Sequence, residues 1–356
     1  MKIKTLTNAQ MRIITEKAKP EPKLFLNKYF TRTHLSKTDK IHIEELPDGG
    51  RRLAPRVHPR LPGRPVGTSG SDVKSFSPTY LKLNTPIDPG GIDTTTDIDP
   101  YSVLYEEDMM VRHANSRANI TKEHVSRIDR TWEYMAAMAT CNSYVDTEYL
   151  GNPAERVFFG RDSALTITLA PSAYWDLGGA SLIDPISEFK RAMADVQGGG
   201  IAKYMLVGSK VARIIRKSAF NGELKELMDA RYGTDGTRLV RGLPDDEPIS
   251  YLGNISNMLD VYEYTGVFED VANDGSFQTI KPIEDNEIVI TAADIGGIKA
   301  FGRIKDLAAN YNTIPVFGRN LINEGDPQTE SIVHQSAPIM VPAYPNRTLK
   351  AKVLAD

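Results

Sequence analysis

Cysteine is almost absent from this chain of 356 residues: Cys141 is the only one. A single thiol excludes an intrachain disulfide framework and every metal site built from several cysteines. Long apolar runs are missing too, and nothing approaches the ~20 residues that a bilayer-spanning helix needs. The start, Met1-Lys2-Ile3-Lys4-Thr5, gives way to polar residues rather than to the apolar centre of a signal peptide. The sequons at Asn119 and Asn346 therefore carry no expectation of glycosylation, and the chain is expected to be made and kept inside a cell. No charge of one sign dominates. With 43 Lys and Arg against 46 Asp and Glu, the net charge is -3, which argues against a chain built throughout to neutralise nucleic acid.

The usual signatures of chemistry are missing as well. No Gly-Lys dipeptide occurs, so there is no phosphate-binding loop of the P-loop type. Gly198-Gly199-Gly200 follows a helical pattern rather than a strand, the wrong side for a dinucleotide turn. There is no His-Glu-x-x-His, and the six histidines are scattered at 34, 42, 58, 113, 124 and 334. Gly67-Thr68-Ser69-Gly70 misses the nucleophile elbow by one position. Asp245-Asp246-Glu247 reads as a solvated turn. Asp93, Asp97 and Asp99 read as turn and cap residues, because the glycine and terminal glutamate of a calcium loop are absent. Nothing recommends a Ser/His/Asp triad, and no catalytic, metal or cofactor residue is singled out.

What is present is ordinary in bulk, 40% hydrophobic and 25% charged, in a chain long enough for two or more lobes. Phe25, Leu26, Tyr29 and Phe30 share one face of a short helix that follows Pro20 and Pro22. That helix either belongs to an N-terminal arm that meets a neighbour or packs on its own subunit's core. Residues 38–46 alternate as a strand, and 73–83 return to strand composition. Between them, residues 49–71 hold five arginines (Arg51, Arg52, Arg56, Arg60, Arg64), four prolines, five glycines and no acid. Such a long irregular segment between two strands makes an extended hairpin that cannot bury a core of its own.

The spacing of Val125, Ile128, Trp132, Met135 and Ala139 predicts a helix over 121–142 with Thr121 as its N-cap. His124 and Cys141 read as ordinary helix residues. Leu165, Ile167 and Leu169 alternate as a strand, and 185–195 carry helical spacing. Tyr204–Val207 reads as a buried strand, Gly208 as a turn and Ser209 as the cap of a basic helix over 210–217. A second helix is expected over 221–231 with Leu224, Leu227 and Met228 inward, then strands near 258–264, 287–292 and 298–304. The end reads as a turn and two strands, the second, Leu349 to Val353, with a solvated lysine face. Helices and strands interleave without a regular βαβ period, which places the chain in the α+β class.

Several of these segments, in order, resemble the E-type major capsid proteins of tailed bacteriophages, the lambda family. They are Leu24 to Phe30, Lys40 to Leu46, Phe76-Ser77-Pro78-Thr79-Tyr80, the helix 121–142 and the block 209–231. Asn286-Glu287-Ile288-Val289, Gly302-Arg303-Ile304-Lys305-Asp306 and the closing run from Gly325 to Val341 complete the set. The likeness spans most of the chain and is weakest over 143–200 and 233–256. No single motif is diagnostic; their shared order carries the resemblance.

The resemblance implies the tailed-phage major capsid fold. Residues 1–35 would be the N-terminal arm and 36–85 an extended loop reaching over a neighbouring subunit. Residues 86–187 would form a peripheral domain with 121–142 as its long spine helix, and 188–324 an axial domain. Residues 325–356 would return to the peripheral domain. It implies a structural protein, not an enzyme, that needs no cofactor and self-assembles into hexamers and pentamers of an icosahedral shell around double-stranded DNA. Its location would be the virion, after assembly in the host cytoplasm. Implied partners are further copies of itself, a scaffolding protein, a portal and, in some members, a decoration protein and a maturation protease. Packaged DNA would be met only non-specifically, and no membrane is involved. The candidate inter-subunit contacts are Arg51, Arg52, Arg56, Arg60 and Arg64 on the loop, with Phe25 and Phe30 on the arm. Some capsids of this fold join subunits covalently through a loop lysine, but here no lysine lies between Lys40 and Lys74. The expected shell is therefore non-covalent, and the short arm implies a separate scaffold. The competing expectation is a nucleic-acid-binding protein that uses residues 49–71, a tract without the interleaved aromatics that single-strand stacking employs.

Overall fold

The structure, a computed structural model, describes residues 23–38, 40–45, 72–87, 109–146, 156–177, 181–221, 228–229, 249–255, 259–271, 277–323 and 328–355. Arg51, Arg52, Arg56, Arg60, Arg64, Gly67 to Gly70, Asp93, Asp97, Asp99, Leu224, Leu227 and Asp245 to Glu247 lie outside them. A short helix, Leu24–Lys28, is followed by strands β1 (Arg32–Leu35), β2 (Ile41–Glu45), β3 (Asp72–Phe76) and β4 (Leu81–Ile87). The long helix Met109–Cys141 leads to β5 (Tyr144–Asp146), β6 (Arg156–Phe158) and β7 (Thr166–Thr168). Helix Ile183–Asp195, β8 (Ala202–Val207) and helix Ser209–Asn221 come next. Then follow β9 (Met228–Asp229), β10 (Ile249–Ile255), β11 (Leu259–Tyr264), β12 (Phe268–Val271), β13 (Phe277–Ile280), β14 (Glu287–Ala292) and β15 (Gly297–Phe301). The closing strands are β16 (Phe317–Asn323), β17 (Thr329–Ser336), β18 (Pro338–Pro342) and β19 (Thr348–Lys352).

Seven strands form the largest sheet, in the order β7-β19-β14-β8-β11-β10-β9. The unbroken apolar run Ile288-Val289-Ile290 in β14 marks a strand covered on both faces. Ile288 and Ile290 point to a core that includes Ile186, Phe189 and Met193 of one helix and Val211, Ala212 and Ile215 of the next. Val289, Leu206, Tyr262 and Tyr264 point to the opposite core, shared with the short helix and the C-terminal half of the long one. The alternation of β19 follows from this. Leu349 and Ala351 face the first core. Lys350 faces the second side, where it pairs with Glu287 at 2.7 Å and donates to Asn142 Oδ1 at 2.7 Å. The expected solvated lysine face is corrected here: the end of the long helix covers it.

The long helix begins twelve residues before the expected start, at Met109, and its 33 residues span about 50 Å. Thr121 is therefore no cap; it is buried mid-helix, where its hydroxyl donates to the Arg117 carbonyl at 2.8 Å. The sequence hid this first third because its buried positions are polar. Two further expectations change. Met228–Asp229 is a strand paired with Ile255 and Asn254 rather than a helix. At the start of the next helix the Ser209 hydroxyl donates to Asp285 Oδ1 at 2.9 Å. The closing region holds three strands, not two, and β16 before it was not foreseen.

The short helix packs on its own chain. At five residues it cannot persist alone, yet Leu24, Phe25, Leu26, Tyr29 and Phe30 are all buried. The Phe25 and Leu26 N–H groups donate to Glu133 Oε1 and Oε2 of the long helix at 2.7 and 3.0 Å. Phe25 meets Tyr264 edge-on at 5.3 Å, and Tyr29 shares a 2.6 Å hydrogen bond with Thr291. Gly297 donates to the Tyr29 carbonyl at 3.1 Å, an approach so close that a Cβ there would lie 2.5 Å from that oxygen. Phe25 and Phe30, expected among inter-subunit contacts, have no exposed surface to offer a neighbour. Replacing Glu133 with Ala should cost about 3 kcal/mol in denaturant unfolding, because two buried N–H groups lose a charged acceptor. Glu133→Gln, which keeps one acceptor oxygen, should lose about half of that; equal, negligible losses would contradict the assignment.

Candidate functional site

Two features stand out: an isolated hairpin rooted in the core at one end, and a polar joint beneath the first half of the long helix. The hairpin is the antiparallel pair β2–β3, with Ile41 opposite Phe76 at one end and Glu45 opposite Asp72 at the other. Ile41 and Phe76 are buried, and Phe76 packs on Phe159 at 5.7 Å, so this end is rooted in the core. Among the described residues no third strand joins the pair. Five residues of strand carry the stem about 17 Å. The chain enters and leaves the basic segment at its open end, as a hairpin flanking residues 49–71 requires. Two further ribbons, β5–β6 and β12–β13, also stand as isolated pairs among the described residues, and they expose Phe158 (67%) and Phe277 (77%).

The joint lies between the long helix and the sheet β16-β17-β4. On the helix, His113, Arg117, Thr121 and His124 recur at spacings of four, four and three, which aligns them on one face. On β17, Glu330, Ile332 and His334 alternate toward that face. Arg117 donates twice to Glu330 Oε2, at 2.5 Å from Nη2 and 3.0 Å from Nε, and His113 Nε2 lies 3.2 Å from the same oxygen. Ile332 packs with Ile87 and Ile120. His124 Nδ1 and His334 Nδ1 are 3.0 Å apart, and His124 Nε2 is 2.8 Å from the Thr85 hydroxyl of β4. Burial pushes the His334 pKa down to about 4, with His124 adding to the shift. Burial also lowers His124, as it does His113, where Arg117 adds to the effect.

On the far face of β17, Gln335 meets a second buried acid, Asp306, from the segment between β15 and β16. Asp306 accepts from Gln335 Nε2 at 2.6 Å and from the Ala308 N–H at 2.9 Å, with Arg319 at 3.1 Å. Burial pushes its carboxyl up, but these donors hold it below the usual carboxylate range. Tyr80 donates to the same Gln335.

Cys141 is buried, and burial pushes its thiol up to about 12, far from a nucleophile's range. Among the described residues no group of three or more His, Cys, Asp or Glu side chains could hold a metal ion. The histidines that look scattered along the sequence are in part brought together. The signal for it was available in the helical spacing 113, 117, 121, 124, but it needs β17 as its partner, 210 residues away at His334.

A family model described as "Phage major capsid protein E" matches residues 7–353. Over 353 residues, with 98% of both chains covered, the chain is 25% identical to the major capsid protein of Enterobacteria phage phi80. It is 24% identical to that of Escherichia phage lambda with the same coverage. A solved structure described as the capsid protein of an E. coli prophage superposes with a TM-score of 0.70 at 20% identity, covering 99% of this chain and 100% of that one. The fold is thus the α+β fold of phage capsid proteins.

The Arg117–Glu330 pair should behave as a buried ion pair. Arg117→Met alone should destabilise by about 3 to 5 kcal/mol, since it strands a buried carboxylate. Adding Glu330→Leu to it should restore most of the loss in thermal or denaturant unfolding; strictly additive losses would show that the carboxylate is solvated instead.

Proposed function

The chain belongs to the phage major capsid protein E family, and on that premise we propose that it assembles as hexamers and pentamers into the icosahedral shell of a tailed-phage head. The observation that carries the reading is the extent of the match, residues 7–353, which takes in the short helix, the hairpin and the closing strands together. Its role is structural, as a major capsid subunit of the virion.

In this reading the β2–β3 stem presents residues 49–71 to a neighbouring subunit. Arginine suits carboxylates on that neighbour through paired, charge-assisted hydrogen bonds. Each exposed pair contributes only ~0–1 kcal/mol, but a shell subunit makes many contacts at once. A net charge of -3 also suits a container that must not trap its DNA on the wall. Assembly would take place in the host cytoplasm with a separate scaffolding protein and a portal, and a decoration protein and a maturation protease are further candidate partners. The nucleic-acid-binding reading of 49–71 is set aside, because the relatives named above match over nearly their full length and are capsid proteins.

The direct test is particle size: the chain co-expressed with its scaffold should sediment as closed shells visible by electron microscopy. A folded monomer or dimer under every condition would overturn the reading. Reversing charge at Arg51 and Arg52 (Arg51→Glu, Arg52→Glu) should cut shell yield at least tenfold while the soluble subunit keeps its circular dichroism spectrum. With no lysine between Lys40 and Lys74, shells should run as single-subunit bands in denaturing gels; ladders would show covalent joining.

A further inference from the structure

We propose that the His124–His334 pair is an acid-released latch that holds the N-terminal half of the long helix on the β16-β17-β4 sheet. It rests on packing within one subunit and does not depend on the assembly reading.

With both rings neutral, the surroundings favour one arrangement of protons on the pair. At 3.0 Å one Nδ1 must donate and the other accept. His334 Nε2 is buried without a partner. A stranded lone pair costs less than a stranded N–H, so His334 carries its proton on Nδ1 and donates to His124 Nδ1. His124 then holds its proton on Nε2 and donates to the Thr85 hydroxyl at 2.8 Å. A further proton has two places to go, and each breaks something. On His334 Nε2 it creates a buried cation with no acceptor. On His124 Nδ1 it destroys the bond between the rings unless His334 moves its own proton to Nε2, where that N–H is buried without an acceptor.

No counter-charge faces His334, and at His124 the pull of Glu123 is opposed by Arg127. On the helix, Glu123 and Arg127 pair with each other at 2.6 Å on the exposed face. One turn or more toward the N-terminus, Arg117 and His113 engage Glu330 of β17. From β16 the residue opposite His334 is Gly318, where a Cβ would lie 2.7 Å from His334 Nε2. β4 contributes the Thr85 hydroxyl beside His124, and Leu83 is the residue paired with His334. Arg319, Asp306 and Gln335 form their own cluster about the second buried acid.

The helix is anchored unequally. Its first half is held mainly by His113, Arg117 and His124, with Ile120 and Val125 as apolar support. Its second half is held by Ile128, Met135, Ala136, Ala139 and Cys141, together with Glu133. Protonation therefore acts on one half only. The latched state binds fewer protons than the released one from the ordinary histidine pKa of 6.5 down to about 4. Latching is thus at full strength above that range and weakens as pH falls through it.

The test is hydrogen–deuterium exchange on the full-length chain, corrected for intrinsic rates, at pH 7 and pH 4.5. Helix amides over 113–124 should lose protection by about 50-fold in the wild type, while those over 130–141 change little. His334→Asn should abolish the difference, whereas Glu330→Gln should retain it. Equal loss in both halves, an unaltered response in His334→Asn, or its disappearance in Glu330→Gln would each overturn the proposal. If His334→Asn fails to fold at pH 7, judged by near-ultraviolet circular dichroism, His124→Asn makes the same distinction.

Discussion

The rest of the structure depends on one carboxylate. Glu133 sits in the second half of the long helix, almost fully buried, and accepts the first free N–H groups of a helix of only five residues. Those donors have no partner within so short a helix, and Glu133 supplies the negative charge that a helix start favours. One turn earlier, Asp129 takes the ammonium of Lys23 at 2.7 Å. Two acids on one face of the long helix thus fix the short helix in register. Once placed, it becomes the wedge between that helix and the seven-stranded sheet: Phe25 against Tyr264, Tyr29 against Thr291, and Lys28 Nζ 3.4 Å above the Tyr204 ring.

A sheet covered on both faces imposes the second constraint. Where its central strands are covered, a polar group is best satisfied from within the chain, because an unpaired buried polar group costs more than a bond gains. Lys350 shows how this is met: its stem is buried and its ammonium reaches Glu287 and Asn142 at the end of the long helix. Arg161 serves the same place. It donates to the Cys141 carbonyl at 3.0 Å and to Thr348 at 3.4 Å, so a cation closes the negative end of the helix. Burial lowers that guanidinium to about 10, yet it stays protonated at neutral pH. The helix end, the sheet edge and the closing strand are therefore tied by charge as well as by packing.

What could be read from the sequence follows from where apolar periodicity is clean. The seam Val125 to Ala139, the buried run Tyr204–Val207 and the strand Glu287–Ala292 were all legible, because each side chain reports its own burial. The first third of the long helix was not, since His113, Arg117 and Thr121 look exposed until β17 supplies Glu330 and His334. The Lys350 face failed for the same reason: alternation distinguishes two faces but does not say that the second is also covered. The short helix was visible, but its choice between its own core and a neighbour's depends on Glu133, more than a hundred residues away.

This division has a physical consequence for a shell subunit. Contacts between copies must form late, over a body that already holds its shape, or folding and association compete for the same apolar groups. Phe25 and Phe30 are spent inside the chain, so they are not open to that competition. In the proposed assembly the segment 49–71, with its five arginines and no acid, is the part offered to a partner. Its stem is fixed by Ile41 and Phe76 before any partner arrives. A contact presented on a fixed stem loses less freedom on binding than one on a loose chain. In the proposed assembly many weak charged contacts would then sum to a stable lattice while each stays weak enough to break and re-form in the correct place.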